Sequence, residues 1–420
     1  MKLSRLVVKK LYGIHDFELD FKGSPAAIHG INGSGKTGIL QILGWFMTGE
    51  LDRLIAIEFD EAQFDLTLST FDEATQIVVR RFNEGDNPSL TFFQGKEELG
   101  TASGTEEQLL RGRKRHQPTD LQGRLSHLLR RIPTAYISTS RVRQFSRPDE
   151  GALNAADMRY LEMTRGRRSK SPIDEAVDQA AESFRENQRI FNFNERRVLS
   201  QLRDQLLQES AKPLVLEIDE NHDWIRRLSS VSEGLKKFHT QFFEIDEEKL
   251  IQNLQSGQDA VRFGAIATIQ QLERLQDPMR KSFSQIEQIR ARTTTYFDVL
   301  NSFYHEYPAI SKTFDIDQQQ NSVTCHDRGD RPIDLDKLSS GEKELFFIIT
   351  TATFGSYREQ RPSLLVIDEP EISLHVKWQE MLLPAITKLN PKVQIIVATH
   401  SPEIAASAEP YVVDINGGAR

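Results

Sequence analysis

The sequence predicts an α/β fold, with a mixed sheet, an antiparallel β subdomain and a compact α-helical insertion. The apolar runs at 363–367 and 392–397 flank a helical segment, and this alternation is typical of a parallel sheet. Residues 1–29 and 59–82 alternate apolar and polar side chains, as strands with one solvated face do. Between 150 and 300 the periodicity is helical, so we expect helices to interrupt one α/β unit.

The helical stretch lacks an apolar repeat that keeps one register, which favours a compact bundle over a long coiled coil. Its helices are predicted to be separated at Pro213, Gly234, Gly257 and Pro278, because glycine and proline interrupt helices.

The composition is that of a globular protein, with 38% hydrophobic and 27% charged residues in a chain of 420. No apolar run approaches the ~20 residues of a membrane helix, and Lys9 and Lys10 interrupt the apolar N-terminus, unlike in a signal peptide. The single cysteine, Cys325, excludes an intramolecular disulfide and a cysteine-cluster metal site. We therefore expect a cytoplasmic protein with no membrane partner.

Charge is unevenly distributed along the chain. The net charge is −8, yet the segment Arg111–Lys170 contains 15 Lys/Arg and 5 Asp/Glu, a local charge of +10. Such a segment can bind nucleic-acid phosphates in a salt-dependent way. A solvated face or a surface that docks an acidic protein would have the same charge, and no aromatic residues alternate with the arginines as in single-strand binders.

The residues Gly30–Thr37 read G-x-x-x-x-G-K-T, the phosphate-binding loop motif, between an apolar strand and an apolar helix face. In such a loop the backbone N–H groups surround a triphosphate at a helix N-terminus. Lys36 is predicted to contact the β- and γ-phosphates, and the Thr37 hydroxyl to bind Mg²⁺. The predicted phosphate-binding residues are Asn32, Gly33, Ser34, Gly35, Lys36, Thr37 and Gly38.

Two acids, Asp368 and Glu369, end the buried strand at 363–367. Ligands of parallel sheets lie at the carboxyl ends of strands, so Asp368 is predicted to hold Mg²⁺ and Glu369 to act as the general base on water. Alternatively, the two residues form a simple pair of loop carboxylates. The phosphate loop in the same chain favours the catalytic interpretation.

Two further segments can contribute to the same site. Ser339 and Gly341 precede an apolar helix, where a serine is either a plain N-cap or a ligand for an anion. His400 follows the strand at 392–397, where it can contact a γ-phosphate.

These four segments, in this order, resemble the ABC-type ATPases, and most of all the SMC/RecF/OLD branch. The resemblance implies that Lys36 and Thr37 belong to the Walker A motif and that Asp368 and Glu369 are the Walker B acid and the catalytic glutamate. It implies ATP and Mg²⁺ as cofactors. It further implies the signature sequence at 338–342 with Ser339 as its serine, a D-loop at 373–375, His400 as the switch histidine and Gln144 as the Q-loop residue. Ser340 replaces the usual glycine of the signature.

The same resemblance implies three segments: 1–147 and 306–420 as two parts of one ATPase head, and 148–305 as the insertion. It also implies a dimer or higher oligomer in which the signature serine of one copy faces the ATP of the other. The insertion is shorter than SMC arms, and the chain ends at Arg420 just past a strand, where OLD proteins continue into a nuclease.

This architecture is similar to the ATPase subunit of PARIS- or Septu-type anti-phage systems, which pair it with a separate nuclease. We therefore expect an ATP-driven switch that controls a nuclease effector. A RecF- or SMC-like DNA-repair ATPase, binding DNA through Arg111–Lys170, is the alternative. A scaffold that binds ATP only to assemble is a third interpretation, which Glu369 disfavours.

Overall fold

The computed structural model describes most of the chain, with several gaps. The described residues are 2–68, 73–84, 87–103, 121, 124–125, 129, 133–138, 144–145, 171–213, 223–236, 245–305, 311–355 and 362–415.

The first part of the chain forms an antiparallel sheet with the strand order β2-β1-β4-β5-β6-β7. Alternating burial along β1, where Leu6 and Val8 are fully buried, shows why the apolar positions recur at every second residue. The strands predicted at 1–29 and 59–82 are present. The strands of this sheet are β1 (Lys2–Leu11), β2 (His15–Asp20), β4 (Glu61–Leu68), β5 (Glu73–Glu84), β6 (Asn87–Gln94) and β7 (Glu97–Ser103).

A second sheet has the order β14-β3-β13-β12-β8-β9, and its pairs are parallel except for β8 with β9. All five residues of β12 and all six of β13 are buried, as expected for strands covered on both faces. The α/β fold with parallel and antiparallel sheets is thus confirmed. The strands are β3 (Ala26–His29), β8 (Thr134–Ile137), β9 (Gln144–Phe145), β12 (Leu364–Asp368), β13 (Gln394–Thr399) and β14 (Val412–Asp414).

The helix α1 (Lys36–Thr48) lies between the two sheets and completes their shared core. Phe46 of α1 stacks on Phe64 of β4 at 3.9 Å between ring centroids. The side chain of Gln394 makes two hydrogen bonds with the backbone of Leu3, at 2.7 and 2.8 Å. The first contact packs the last turn of α1 against the antiparallel sheet, and the second joins the two sheets directly.

The remaining helices and a hairpin follow in chain order. They are α2 (Leu51–Ala56), α3 (Pro172–Ala211), α4 (Trp224–Lys236), α5 (Glu247–Leu254), α6 (Asp259–His305), the hairpin β10 (Lys312–Asp317) and β11 (Ser322–Asp327), α7 (Ser340–Phe354), α8 (Val376–Leu389) and α9 (Pro402–Ser407). No helix in the described part of the chain is long and apolar enough to cross a membrane.

The chain divides into two compact units, one formed by 1–188 with 295–420 and the other by 189–294. The second unit covers a shorter stretch of sequence than the predicted insertion 148–305, because the first turns of α3 and the last turns of α6 belong to the first unit. Phe184 of α3, for example, packs edge-on against Phe297 and Phe354 there. The three-segment division stays a prediction.

The helices α3 and α6, which each have one part in the second unit, are 40 and 47 residues long over their full length. They are longer than the sequence pattern indicated. The repeat of apolar residues along these helices is interrupted because polar pairs also join α3 to α6. Arg290 of α6, for example, forms an ion pair with Glu195 of α3. The predicted break at Pro278 is wrong, since that proline lies inside α6 beside the fully buried Met279.

The predicted break at Gly234 is also wrong, since that residue lies inside α4. A β-carbon on Gly234 would lie 1.9 Å from the Gln276 side chain, so the glycine there allows close helix packing. The segments around Pro213 and Gly257 do separate helices.

Candidate nucleotide site

The phosphate loop connects β3 to α1 through two glycines with left-handed backbone angles. Gly33 has a φ of 79° and Gly35 a φ of 94°, a region in which other residues are strained. Gly35 is the N-cap of α1, and neither a side-chain cap nor an acid in the first turn satisfies this helix end. The helix N-terminus is therefore open to an anion from outside the chain.

Lys36 is the first residue of α1 and is only 4% exposed. Its ammonium donates to the carbonyls of Gly30 at 2.8 Å and Ile31 at 3.0 Å. Burial lowers the pKa of Lys36, while the negative charges of Glu369 and Asp368 act in the opposite direction. The lysine is held in the loop, close to acidic groups at the end of β12.

Thr37 and Asp368 meet across the site. The Thr37 hydroxyl donates to Oδ1 of Asp368 at 3.4 Å, and Asp368 is 2% exposed. Burial, reinforced by the charge of Glu369, raises the pKa of Asp368 to about 7. Its other oxygen, Oδ2, is buried with no hydrogen-bond partner among the described residues.

Glu369 and His400 face each other where β12 and β13 end. The His400 Nε2 lies 3.5 Å from Oε1 of Glu369. The Glu369 N–H donates a hydrogen bond to the Ala398 carbonyl at 2.9 Å, which continues the pairing of β12 with β13. Glu369 itself has a φ of 48°, so the backbone turns sharply at this residue. This turn directs the chain away from the sheet, and both side chains reach the same pocket.

One pocket therefore unites most of the predicted site residues. Asp368 lies behind it, in contact with Thr37. The lining residues are Tyr12, Asn32, Gly33, Ser34, Gly35, Lys36, Thr37, Gly38, Glu369 and His400.

Ser339 and Gly341 do not line this pocket. Ser339 is the N-cap of α7 and forms a capping box with Glu342, as the plain N-cap interpretation predicts. Gly341 packs so closely on the segment after β12 that a β-carbon would lie 2.3 Å from the Ser373 carbonyl oxygen. In the single chain these two residues lie away from the phosphate loop.

Gln144 begins the short strand β9 and pairs with Tyr136 of β8 at the edge of the parallel sheet. Its role as a Q-loop residue stays a prediction. The basic segment Arg111–Lys170 lies almost entirely outside the described residues, so its predicted contact with nucleic acid has no structural account.

Two residues at the site were missed by the sequence analysis. Tyr12 lines the pocket and is 48% exposed, with its hydroxyl 2.9 Å from where a β-carbon on Gly38 would lie. Glu371 accepts a hydrogen bond from the His400 N–H at 2.5 Å. Both residues are distant in sequence from their partners. The sequence signals at these positions were weak: a turn at Tyr12-Gly13 and a third acid, Glu371, shortly after Asp368-Glu369.

The residues present fit a Mg²⁺–triphosphate ligand. Mg²⁺ prefers oxygen ligands, and the Thr37 hydroxyl lies beside a buried carboxylate with an unpaired oxygen. The Ser34 hydroxyl is likewise buried and has no partner within the described ranges. Such unpaired polar atoms are costly in a folded protein unless a ligand satisfies them.

The chain matches the model of the family described as "AAA domain, putative AbiEii toxin, Type IV TA system" over residues 26–406. It is 30% identical over 125 residues to the Septu protein PtuA of Bacillus thuringiensis, an alignment covering 27% of this chain and 30% of PtuA. It is 33% identical over 120 residues to the "Retron Vc95 probable ATPase" of Vibrio cholerae serotype O1 biovar El Tor, covering 25% and 23%. The chain thus spans less than a third of the length of these curated relatives.

Among solved structures, the chain is similar to the Smc head domain of Pyrococcus furiosus, determined with an extended coiled coil and bound to the C-terminal domain of ScpA. The TM-score is 0.44 at 13% identity, covering 98% of this chain and 92% of the other. At this level the likeness supports no inference about function.

The family match includes the phosphate loop, the acidic end of β12 and His400. The resemblance to Septu-type ATPases, predicted from the sequence, is confirmed by the match to PtuA. The chain therefore belongs to the AAA-domain ATPase family that this model describes.

Proposed function

We propose that this protein binds and hydrolyses ATP as a switch that controls a separate effector, a nuclease, in bacterial anti-phage defence. The observation that carries the proposal is the single pocket in which Lys36, Glu369 and His400 meet, with Thr37 and Asp368 in contact behind them. Family membership supports ATP as the nucleotide.

In the proposed reaction, the phosphate loop and Lys36 bind the triphosphate, and Thr37 and Asp368 hold Mg²⁺. The metal would neutralise charge on the β- and γ-phosphates. Glu369 would accept a proton from the water whose oxygen bonds to the γ-phosphorus, while the bond from that phosphorus to the β–γ bridging oxygen breaks and ADP leaves. His400 would orient Glu369 and contact the γ-phosphate. The 3.5 Å separation of His400 and Glu369 supports this pairing.

The proposed switch also requires a second copy of the chain. Ser339 and Gly341 lie away from the pocket of their own chain, which is consistent with a signature that completes the ATP site of a partner copy. ATP then stabilises the dimer or higher oligomer and hydrolysis releases it, which gives a two-state output for an effector.

The defence role is supported by the similarity to Septu PtuA and to a retron ATPase. It is tested by co-expressing the chain with the product of the adjacent gene, followed by pull-down and phage challenge. We expect a stable complex and protection that depends on Lys36. Absence of any partner and of any protection would reject the effector role and leave the ATPase role intact.

The catalytic proposal is tested by Glu369→Gln. Removing the general base is expected to lower kcat about 100-fold or more while ATP binding persists, so ATP and a closed oligomer accumulate. Size-exclusion chromatography with ATP and Mg²⁺ and a phosphate-release assay measure the two effects. Turnover equal to that of the unsubstituted protein would show that Glu369 is not the base.

The alternative, a DNA-repair ATPase, gives a different result in the same preparation. DNA affinity that rises with ATP and falls steeply with salt would favour it.

A further inference from the structure

The spacing between Glu369 and His400 is not set by the sheet alone. β12 and β13 pair in parallel up to Asp368 opposite Ala398, and the Glu369 N–H makes one more bond to the Ala398 carbonyl. Beyond that bond the pairing of the two strands ends, because the backbone turns at Glu369 with a positive φ. Another contact must hold the His400 loop beside Glu369.

Glu371 makes such a contact. Its Oε1 accepts the backbone N–H of His400 at 2.5 Å, although the two residues are 29 positions apart. A carboxylate is a stronger acceptor than a neutral group, so the bond is well suited to hold a loop. The other oxygen, Oε2, is buried with no hydrogen-bond partner in the described part of the chain.

The backbone of Glu371 is itself fixed. The residue lies in a single 3-10 turn, Pro370–Ile372, and its carbonyl accepts from the Leu374 N–H at 3.2 Å and from the Gln379 side chain at 3.3 Å. Gln379 lies in α8 and is buried. Glu371 therefore links the His400 loop to a rigid helix.

We propose that Glu371 is a positioning residue, which holds the His400 loop at the separation from Glu369 that ATP hydrolysis needs. The inference rests on the proposed function, since it assigns Glu371 a role in that reaction. Glu371 acts through His400 and does not line the pocket itself. Its loss is expected to slow turnover with little change in nucleotide binding, because the phosphate loop lines the pocket and Glu371 does not.

Two substitutions separate this role from simple stabilisation of the loop. Glu371→Ala removes the acceptor, whereas Glu371→Gln keeps an oxygen that can accept the His400 N–H. With Ala we expect kcat to fall about tenfold or more and the Kd of ATP with Mg²⁺ to change less than threefold, because small misplacements of catalytic groups slow chemistry. With Gln we expect most of the rate to return.

Hydrogen–deuterium exchange, read by mass spectrometry on peptides covering 398–401, tests the contact directly. The exchange at His400 is expected to accelerate in the Ala variant and to stay protected in the Gln variant. The matched control is Glu380→Ala, which removes a carboxylate of α8 that pairs with Lys377 on the surface. This control should leave both exchange and kcat unchanged.

Three results would overturn the inference: unchanged exchange at His400 in the Ala variant, accelerated exchange with unchanged kcat, or a Gln variant that keeps His400 protected and is still as slow as Ala. If Ala does not fold, the Gln variant still decides. Protection kept with a lost rate, or protection lost with an unchanged rate, would reject the role, because the hydrogen bond and the turnover would then be uncoupled. Absence of ATP turnover in the unsubstituted protein would reject the proposed function and the role of Glu371 with it. The exchange result would then report on the hydrogen bond alone.

Discussion

Two helix N-termini of this molecule are built in opposite ways. The helix α1 has Gly35 as its N-cap and no side-chain cap, and the buried hydroxyl of Ser34 beside it has no hydrogen-bond partner among the residues that the structure describes. The helix α7 begins at Ser339 with a complete capping box. The first end lacks partners that a triphosphate would supply, whereas the second is stable without any ligand.

The contrast extends to the charged residues at each end. At α1, Asp368 keeps one buried oxygen unpaired. At α7, three consecutive residues bond with three different segments: Glu342 with Lys312, Lys343 with Asp174, and Glu344 with Ser373. The α1 end is thus arranged for an incoming ligand, while the α7 end is fixed to the surrounding fold. Substitutions at the two helix ends test this difference.

Lys36→Ala should abolish the ligand-binding property of the α1 end. Loss of the ammonium is expected to weaken ATP binding at least about 100-fold, or about 3 kcal/mol, because a charged partner of the phosphates is removed. Isothermal titration calorimetry with ATP and Mg²⁺ measures this effect. Lys22→Ala, an exposed lysine near β3, is the control and should bind normally. Equal binding by both variants would contradict the assignment of the phosphate loop.

Gly341→Ala should disturb the packed α7 end. The added β-carbon would lie 2.3 Å from the Ser373 carbonyl oxygen, and because that atom is backbone, the expected cost is about 1–3 kcal/mol of unfolding free energy. Urea unfolding measures it. Gly264→Ala is the control, since a β-carbon there meets nothing within 4 Å. Equal stability of the two variants would show that the contact with Ser373 is not tight.

Asp368→Asn should remove the destabilising effect of a buried carboxylate charge beside α1. The pKa of Asp368 is raised to about 7, so between its ordinary 3.8 and 7 the folded protein holds a proton that the unfolded chain has lost. Stability without metal therefore falls as pH rises through this window, and is lowest above it. The Asn variant lacks this loss, so its Tm should exceed that of the unsubstituted protein by about 2–4 °C at pH 8 and by less at pH 5.5.

The same substitution should act in the opposite sense on the metal. An ionised Asp368 binds Mg²⁺ better than a protonated one, so Mg²⁺-dependent ATP affinity should rise with pH from 6 to 8 and lose this dependence in the Asn variant. Thermal scans and titrations with and without Mg²⁺ measure both effects. Asp52→Asn, at an exposed position of α2, is the control. A Tm difference that is the same at both pH values would contradict the raised pKa.

The pair Lys343–Asp174 should give the smallest effect. Its atoms are 2.6 Å apart and partly shielded, so a double-mutant cycle with Lys343→Met and Asp174→Asn is expected to give a coupling of about 1 kcal/mol. Hydrogen bonds from Lys343 and then Ser171 lower the pKa of Asp174. The contribution is therefore present above the ordinary pKa of 3.8 and is lost only as pH falls through the lower folded value.

Additive unfolding free energies near pH 7 would show that this ion pair does not contribute to stability. The double variant with Arg203→Ala and Asp204→Ala, an exposed pair, provides the comparison.

Much of the site was predictable because its parts are local in sequence. The phosphate loop occupies eight consecutive residues, and the acids directly follow a buried strand, so their spacing alone indicated their chemistry. His400 was predicted from its place after β13, a strand that the sequence also identified. The helix-start interpretation of Ser339 was equally local, since a capping box spans only four residues.

The less predictable features depend on distant contacts. Pro278 and Gly234 were expected to end helices, yet both lie inside them, because burial of Met279 and the close approach of Gln276 override local preference. Glu371 gave no signal as a partner of His400 because the two are 29 residues apart and meet only when β12 and β13 pair.

The α/β class, the phosphate-loop motif and the pair of acids could be predicted without coordinates, since each depends on short-range periodicity or on a contiguous motif. Which residues meet could be learned only from the folded chain: Thr37 contacts Asp368, 331 positions away, Glu369 lies beside His400, and Gly341 packs on Ser373. These contacts arise from strand order and helix packing, which bring distant segments together and have no counterpart in local sequence spacing.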